Sequence, residues 1–131
     1  SVNALGRMRA GGWRDAVALT RSSKSEYGVE PDVVTYTSAI SACGSGRQWK
    51  LALELLDEME SRGIKPNVYS FNSAISACEK GGGQWEMALE LLKEMKRRGI
   101  KPNVISYNAT ISACEKGRQW GKALELFEEM K

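Results

Sequence analysis

Three copies of one short pattern pair a bulky residue with a small polar residue three positions further along the chain. Two of the copies also end in a lysine. Each copy therefore offers an apolar wedge and a hydrogen-bonding tip, and two of them add a cation. The pairs are Val34 with Thr37, Tyr69 with Asn72, and Ile105 with Asn108, and the lysines are Lys80 and Lys116.

Few other residues in the sequence could take part in catalysis or bind a metal ion. The chain has no histidine, and its three cysteines include no C-x-x-C spacing. Histidine-based acid–base catalysis is therefore excluded, and a zinc site is not expected. The glycine run that begins at Gly81 lacks the Gly-Lys-Ser/Thr ending of a phosphate-binding loop. We expect no enzymatic activity, no cofactor and no metal.

Composition sets wide limits on the partner. The 131 residues suit a single domain, and 42% of them are hydrophobic, which is enough for a packed core. No apolar run approaches the ~20 residues that a membrane span needs, and no secretory pattern opens the chain. The net charge of +3 permits a nucleic-acid partner without indicating one.

Repetition organises the whole sequence. The four tryptophans are 36, 36 and 35 residues apart, and the three cysteines are 35 and 36 apart. A period of this length is typical of helical repeats. We divide the chain into a partial, diverged unit (residues 1–32), two full units (33–67 and 68–103) and a unit that lacks its joint to a following one (104–131).

Each unit is predicted to form two helices. Proline and then Asp or Asn precede the first helix, and the Asp or Asn can cap its free amides. Glycines near Gly46, Gly81 and Gly117 end it. The second helix begins at the tryptophan, carries apolar residues at helical spacing, and ends before Gly63 or Gly99. Helical hairpins that repeat in this way stack into an α-solenoid.

The first helix has two contrasting arcs when it is projected at about 100° per residue. In the second full unit the packed arc holds Val68, Phe71, Ala74, Ile75 and Cys78, and the opposite arc holds Tyr69, Asn72, Ser73, Ser76 and Lys80. Two interpretations of the opposite arc remain open. The bulky residues either pack against the adjacent unit, or they form a row of sockets along one surface.

The C-terminal unit resembles the pentatricopeptide repeat, or PPR. The resemblance rests on "VISYNATISACEKGRQWGKALELFEEMK" and the "GIKPN" joint, and it extends over essentially all of residues 33–131. The 34-residue tetratricopeptide repeat fits less well, because its early Trp and Leu-Gly signature is missing. The resemblance implies an all-α, right-handed α-solenoid of stacked antiparallel helix pairs that binds single-stranded RNA, one base per repeat.

The resemblance also implies a role for each socket residue. Val34, Tyr69 and Ile105 match the positions that wedge bases. Bases would be read by Thr37 with Asn67 and by Asn72 with Asn103, while Asn108 has no partner in the sequence and the partner of Asp32 is not assigned. Lys80 and Lys116 match a position that approaches phosphates, from which Ser45 departs. The family associates these pairs with the order 5′-A-Y-Y-3′, where Y is a pyrimidine.

Two alternatives stay open at this point. Asn67 and Asn103 have a sufficient role as helix caps, so their presence does not require base readout. Three or four sockets make a short site with weak affinity, so the solenoid could instead act as a protein–protein scaffold in a larger assembly.

The family resemblance implies a mitochondrial or plastid protein that supports RNA processing, stability or translation.

Overall fold

Six complete α-helices lie in the part of the chain that the structure describes. The computed structural model describes residues 32–82 and 84–131, together with residues 13, 14, 17 and 18, which are helical. No strand occurs within these residues. The helices are α1 (Val33–Ser45), α2 (Trp49–Ser61), α3 (Val68–Lys80), α4 (Trp85–Arg97), α5 (Val104–Lys116) and α6 (Trp120–Met130).

The first helix of each pair begins where the sequence predicts. Asp32, Asn67 and Asn103 are the N-caps of α1, α3 and α5, and each side chain accepts a hydrogen bond from the backbone amide three residues later. In α3 and α5 the residue at that third position is a serine. Its hydroxyl accepts a hydrogen bond in return from the backbone N–H of the capping asparagine. These capping boxes fix the entry of both helices.

The helix ends use glycine in two different ways. Gly63 and Gly99 follow the second helices with φ of 78° and 79°, a left-handed conformation that favours glycine. Gly46, Gly81 and Gly117 cap the first helices with negative φ, which any residue can adopt. There the left-handed residue comes next along the chain: Arg47, Gly82 or Arg118.

A tryptophan explains the second set of glycines. A Cβ built on Gly81 would lie 2.5 Å from Cδ1 of Trp49, the residue that begins the second helix of the preceding unit. The same clash would occur between Gly46 and Trp13 and between Gly117 and Trp85. Glycine is therefore needed at these positions for space, because each tryptophan lies over the first-helix end of the following unit.

The units stack along a continuous core. The first helices pack in a row, α1 on α3 and α3 on α5, and each second helix packs against the first helix of its own unit. In addition, α2 packs on α3 and α4 packs on α5, which are the first helices of the following units. Tyr36, Phe71, Ile40 and Ile75 are fully buried at these contacts. All three cysteines are buried, which agrees with the place of Cys78 on the predicted packed arc, and burial raises the pKa of the Cys78 thiol to about 12. The arrangement is an all-α solenoid of antiparallel helix pairs.

Candidate nucleic-acid interface

The three predicted wedges project from one surface of the solenoid. Val34, Tyr69 and Ile105 occupy the second position of α1, α3 and α5, and they are 67%, 65% and 60% exposed. Side chains that packed against the adjacent unit would be largely covered. Their exposure confirms that they lie outside the core and favours the socket interpretation over the packing interpretation.

A cavity of about 280 Å³ lies between the first two wedges. Val34 and Tyr69 line it together with Thr37 and Asn67, the two predicted readers of the first full unit. The structure therefore brings together the four residues that the sequence assigned to this socket. Their shared cavity offers apolar surface on its sides and a hydroxyl and an amide as hydrogen-bonding groups.

A larger cavity of about 580 Å³ continues along the same surface. Its lining includes the wedges Tyr69 and Ile105 and the readers Thr37 and Asn72. Between them it is lined by small side chains: Ser38, Ser41, Ala42, Ser45 and Ser73. Because small residues leave room between the wedges, the sockets of successive units join into one groove.

Asn72 differs from the prediction, which put it on the exposed arc. It is only 6% exposed, because α5 of the next unit covers it. Its Nδ2 donates a hydrogen bond to Oδ1 of Asn103 at 3.0 Å, and its Oδ1 accepts a bond from the hydroxyl of Ser106. A projection of α3 alone cannot show this, since the covering residues belong to another helix.

The cap of α5 sets the direction of these hydrogen bonds. The backbone amide of Ser106 can only donate, and it donates to Oδ1 of Asn103 at 3.1 Å. The amino group of Asn103 must then point away from the helix. Asn72 contacts the same oxygen, so it must do so through its own amino group. The side chain of Asn103 can therefore cap α5 and contact Asn72 at the same time.

A related network connects the first full unit to the second. There the hydroxyl of Thr37 takes the place that the side-chain amide of Asn72 has in the next unit. Ser70 donates its backbone amide to Oδ1 of Asn67 at 3.0 Å, and its hydroxyl lies 3.1 Å from that of Thr37. Asn67 thus has the same orientation as Asn103, with its oxygen turned to the helix and its amino group turned outward. Thr37 keeps a rotatable hydroxyl that can donate or accept.

The two remaining predicted readers, Asn108 and Asp32, are not paired with a second reader in the described residues. Asn108 is exposed on α5, and no hydrogen bond to its side chain occurs among the described residues. Asp32 caps α1, and the bond that it accepts from the Thr35 amide, at 2.9 Å, holds the pKa of its carboxyl below the usual value. The residues before Asp32 that would complete its socket lie outside the described part of the chain, apart from the four helical ones.

The two predicted phosphate-contacting lysines differ in their surroundings. Lys116 forms an ion pair with Glu79 of the preceding unit. The residue equivalent to Glu79 beside Lys80 is Gly44, and Lys80 makes no ion pair within the described residues. Both lysines line a cavity of about 260 Å³ with Arg47, a third cation that the sequence analysis missed.

Sequence comparison defines the family. The profile described as "PPR repeat family" matches residues 31–80 and 81–116, and the profile described as "PPR repeat" matches residues 105–131. The chain belongs to the PPR repeat family. No curated protein sequence matches it significantly.

Solved structures of PPR proteins have the same fold. The pentatricopeptide repeat protein PPR10 from maize is 31% identical over 97% of this chain, with a TM-score of 0.80. PPR10 in complex with an 18-nt psaJ RNA element is 30% identical over 97% of the chain, with a TM-score of 0.81. In both comparisons this chain spans 18% of the length of PPR10.

Sequence reasoning also missed the capping serines, Ser70 and Ser106, which are fully buried. Their signal was present, because each stands three residues after a capping asparagine, the third position of a capping box. Their contacts to Thr37 and Asn72 depend on how two units stack, which no single unit's sequence specifies.

In the described ranges there is no group of three or more residues that could hold a metal ion. None of the described helices is long and apolar enough to cross a membrane.

Proposed function

We propose that this PPR domain binds single-stranded RNA along the groove, with one base between successive wedges. The observation that carries the proposal is the cavity that joins Val34 and Tyr69, two exposed apolar side chains, to Thr37 and Asn67. Bases have apolar faces and polar edges, so this socket complements a base on both counts. The RNA complex of PPR10, a protein of the same fold, supports the same ligand class.

The second socket is expected to favour cytosine among the pyrimidines. Oδ1 of Asn72 and Oδ1 of Asn103 are both engaged within the protein, so the two side chains can offer mainly N–H groups to a base. Cytosine has two adjacent acceptors on its pairing edge, N3 and O2, whereas uracil has a donor at N3. A donor facing a donor leaves both unpaired, which costs about 1–3 kcal/mol when the groups are buried.

The base preferences at the first socket and at Asn108 rest on the family resemblance. Thr37 with Asn67 is associated with adenine, and Asn108 with a pyrimidine, which gives 5′-A-Y-Y-3′ along the chain. Lys80 and Arg47, at the edge of the groove, are available to neutralise phosphates. The proposed setting, support of RNA processing, stability or translation in a mitochondrion or plastid, follows from family membership alone.

The direct test is fluorescence anisotropy with labelled nine-nucleotide strands at low salt. We expect (ACC)₃ to bind more tightly than (AUU)₃, and both to bind more tightly than (GAA)₃. Tyr69→Ala should weaken binding by about 1–3 kcal/mol, the contribution of one stacked base, without lowering the stability of the fold. Phe71→Ala is the contrasting variant, because this 1% exposed side chain should cost about 3–5 kcal/mol of stability.

Two results would contradict the proposal. Equal binding of all three strands would leave only general attraction between a basic protein and an anion. A large loss of stability in Tyr69→Ala would mean that this residue packs rather than stacks on bases. The protein–protein scaffold would then be the better description of the domain.

A further inference from the structure

The ion pair between Glu79 and Lys116 places a carboxylate beside one of the two lysines at the edge of the groove. Nζ of Lys116 contacts Oε2 of Glu79 and lies 3.5 Å from the Glu79 backbone oxygen. The hydroxyl of Ser112 donates to the same Oε2 at 3.3 Å. Two groups of α5 therefore hold the Glu79 side chain, which is only 17% exposed, whereas that of Lys116 is 50% exposed.

The joint between α1 and α3 has no such acid beside its lysine. Gly44 stands at the position of Glu79, and Lys80 is exposed with no ion pair within the described residues. Space accounts for this glycine, because a Cβ on Gly44 would lie 3.2 Å from both Cα and Cβ of Ala77 in α3. Lys80 and Lys116 therefore occupy equivalent positions with different charge around them.

We infer that Glu79 prevents Lys116 from binding an RNA phosphate, an inference that rests on the RNA binding proposed above. Carboxylate and phosphate oxygens are both strong acceptors for an ammonium group, so the two anions compete for Lys116. The carboxylate is already in place in the folded protein. A phosphate that bound Lys116 would break this ion pair and would lie close to the displaced carboxylate, and repulsion between the two negative charges opposes that arrangement.

The cavity of about 260 Å³ shows where positive charge is left for the strand. Lys80, Lys116 and Arg47 line it, and Ser45 lines both this cavity and the larger one between Tyr69 and Ile105. The three cations are thus adjacent to the groove. Because Glu79 neutralises Lys116, we expect a bound strand to be held by its phosphates at the α1–α3 joint and more loosely at the α3–α5 joint.

Replacing Glu79 by glutamine gives a direct test. Glu79→Gln removes the charge but keeps the size of the side chain, and its amide oxygen can still accept the bond from Ser112. Glu115→Gln is the matched control, because Glu115 has the same position in α5, is exposed, and forms no ion pair among the described residues. Each variant is made alone and together with Lys116→Ala, and urea unfolding confirms that each chain is folded. Anisotropy with (ACC)₃ and (GAA)₃ is then measured over a series of salt concentrations.

We expect Glu79→Gln to steepen the dependence of log K on log salt by about 0.7, the contribution of one further phosphate on a single strand. Affinity should rise severalfold for both strands, because a phosphate contact carries no base information. Adding Lys116→Ala should cancel this gain. Lys116→Ala alone and Glu115→Gln alone should leave the slope unchanged.

Several results would overturn the inference. An unchanged slope in Glu79→Gln would do so, as would a gain that Glu115→Gln reproduces or that persists with Lys116→Ala. A loss of slope in Lys116→Ala alone, equal to that in Lys80→Ala, would mean that Lys116 already binds a phosphate beside Glu79. Equal binding of the two strands by every chain would contradict the proposed base readout, but the slopes would still test the role of Glu79. Absence of binding by both the unmodified chain and Glu79→Gln would overturn both proposals.

Discussion

Single side chains in this domain serve both stability and recognition. Asn103 caps α5 through Oδ1, and its amino group remains directed outward, where no partner takes it among the described residues. Capping and base readout therefore need not be alternatives at this position. The capping serine links the two functions, since the hydroxyl of Ser106 contacts Asn72 of the preceding unit.

Removing that hydroxyl tests whether Ser106 positions the base readers. In Ser106→Ala the Asn72 oxygen loses its donor, so the amide can turn and offer an acceptor to the base. We expect the preference for (ACC)₃ over (AUU)₃ to fall severalfold, with a loss of about 1 kcal/mol in the free energy of unfolding. The measurements are anisotropy with both strands and urea denaturation.

Ser106→Thr is the matched control, because it keeps the hydroxyl and should keep the cytosine preference. The same loss of stability in Ser106→Ala with an unchanged preference would assign Ser106 a purely structural role. Loss of all RNA binding in the unmodified chain would instead contradict the proposed function itself.

At the scale of helices, most of the architecture follows from local sequence. Proline followed by Asp or Asn predicts the starts of α1, α3 and α5, and a glycine predicts the end of each of the six helices except α6. These signals act within a few residues, so one sequence is enough to detect them. The burial of Asn72 and the tryptophan–glycine contacts were missed, because both arise between units.

The tryptophan–glycine contact predicts an unusual response to alanine. Gly81→Ala should destabilise the fold by about 1–3 kcal/mol, because its Cβ would force the indole of Trp49 to move. In a Trp49→Ala background the same substitution should be neutral or slightly stabilising, since alanine restricts the unfolded chain more than glycine does. Thermal or urea unfolding of the four chains gives the coupling energy.

Gly121→Ala is the control for that cycle. Gly121 lies within α6, and a Cβ there would meet no atom within 4 Å. It should stabilise the chain by up to about 1 kcal/mol through helix propensity alone. If Gly81→Ala behaves like Gly121→Ala, the tryptophan is not what requires the glycine.

At the scale of the whole molecule, charge has to be considered by location, because the net charge of +3 is small. The second helices carry several ion pairs among themselves, such as Lys96 with Glu129 and Arg97 with Glu94. Lys80 and Arg47 beside the groove have no such partner in the described residues. Attraction for a polyanion should therefore concentrate at the groove rather than on the surface formed by the second helices.

Salt dependence distinguishes these two surfaces. Each phosphate neutralised on a single strand contributes about 0.7 to the slope of log K against log salt. We expect Lys80→Ala to reduce the slope by about that amount and to weaken (ACC)₃ and (GAA)₃ equally, because a phosphate contact carries no base information. Lys93→Ala removes an exposed lysine of α4 and should leave both the slope and the affinity unchanged. A larger effect of Lys93→Ala than of Lys80→Ala would mean that RNA follows the second helices, and the wedges in the groove would then have no base to stack on.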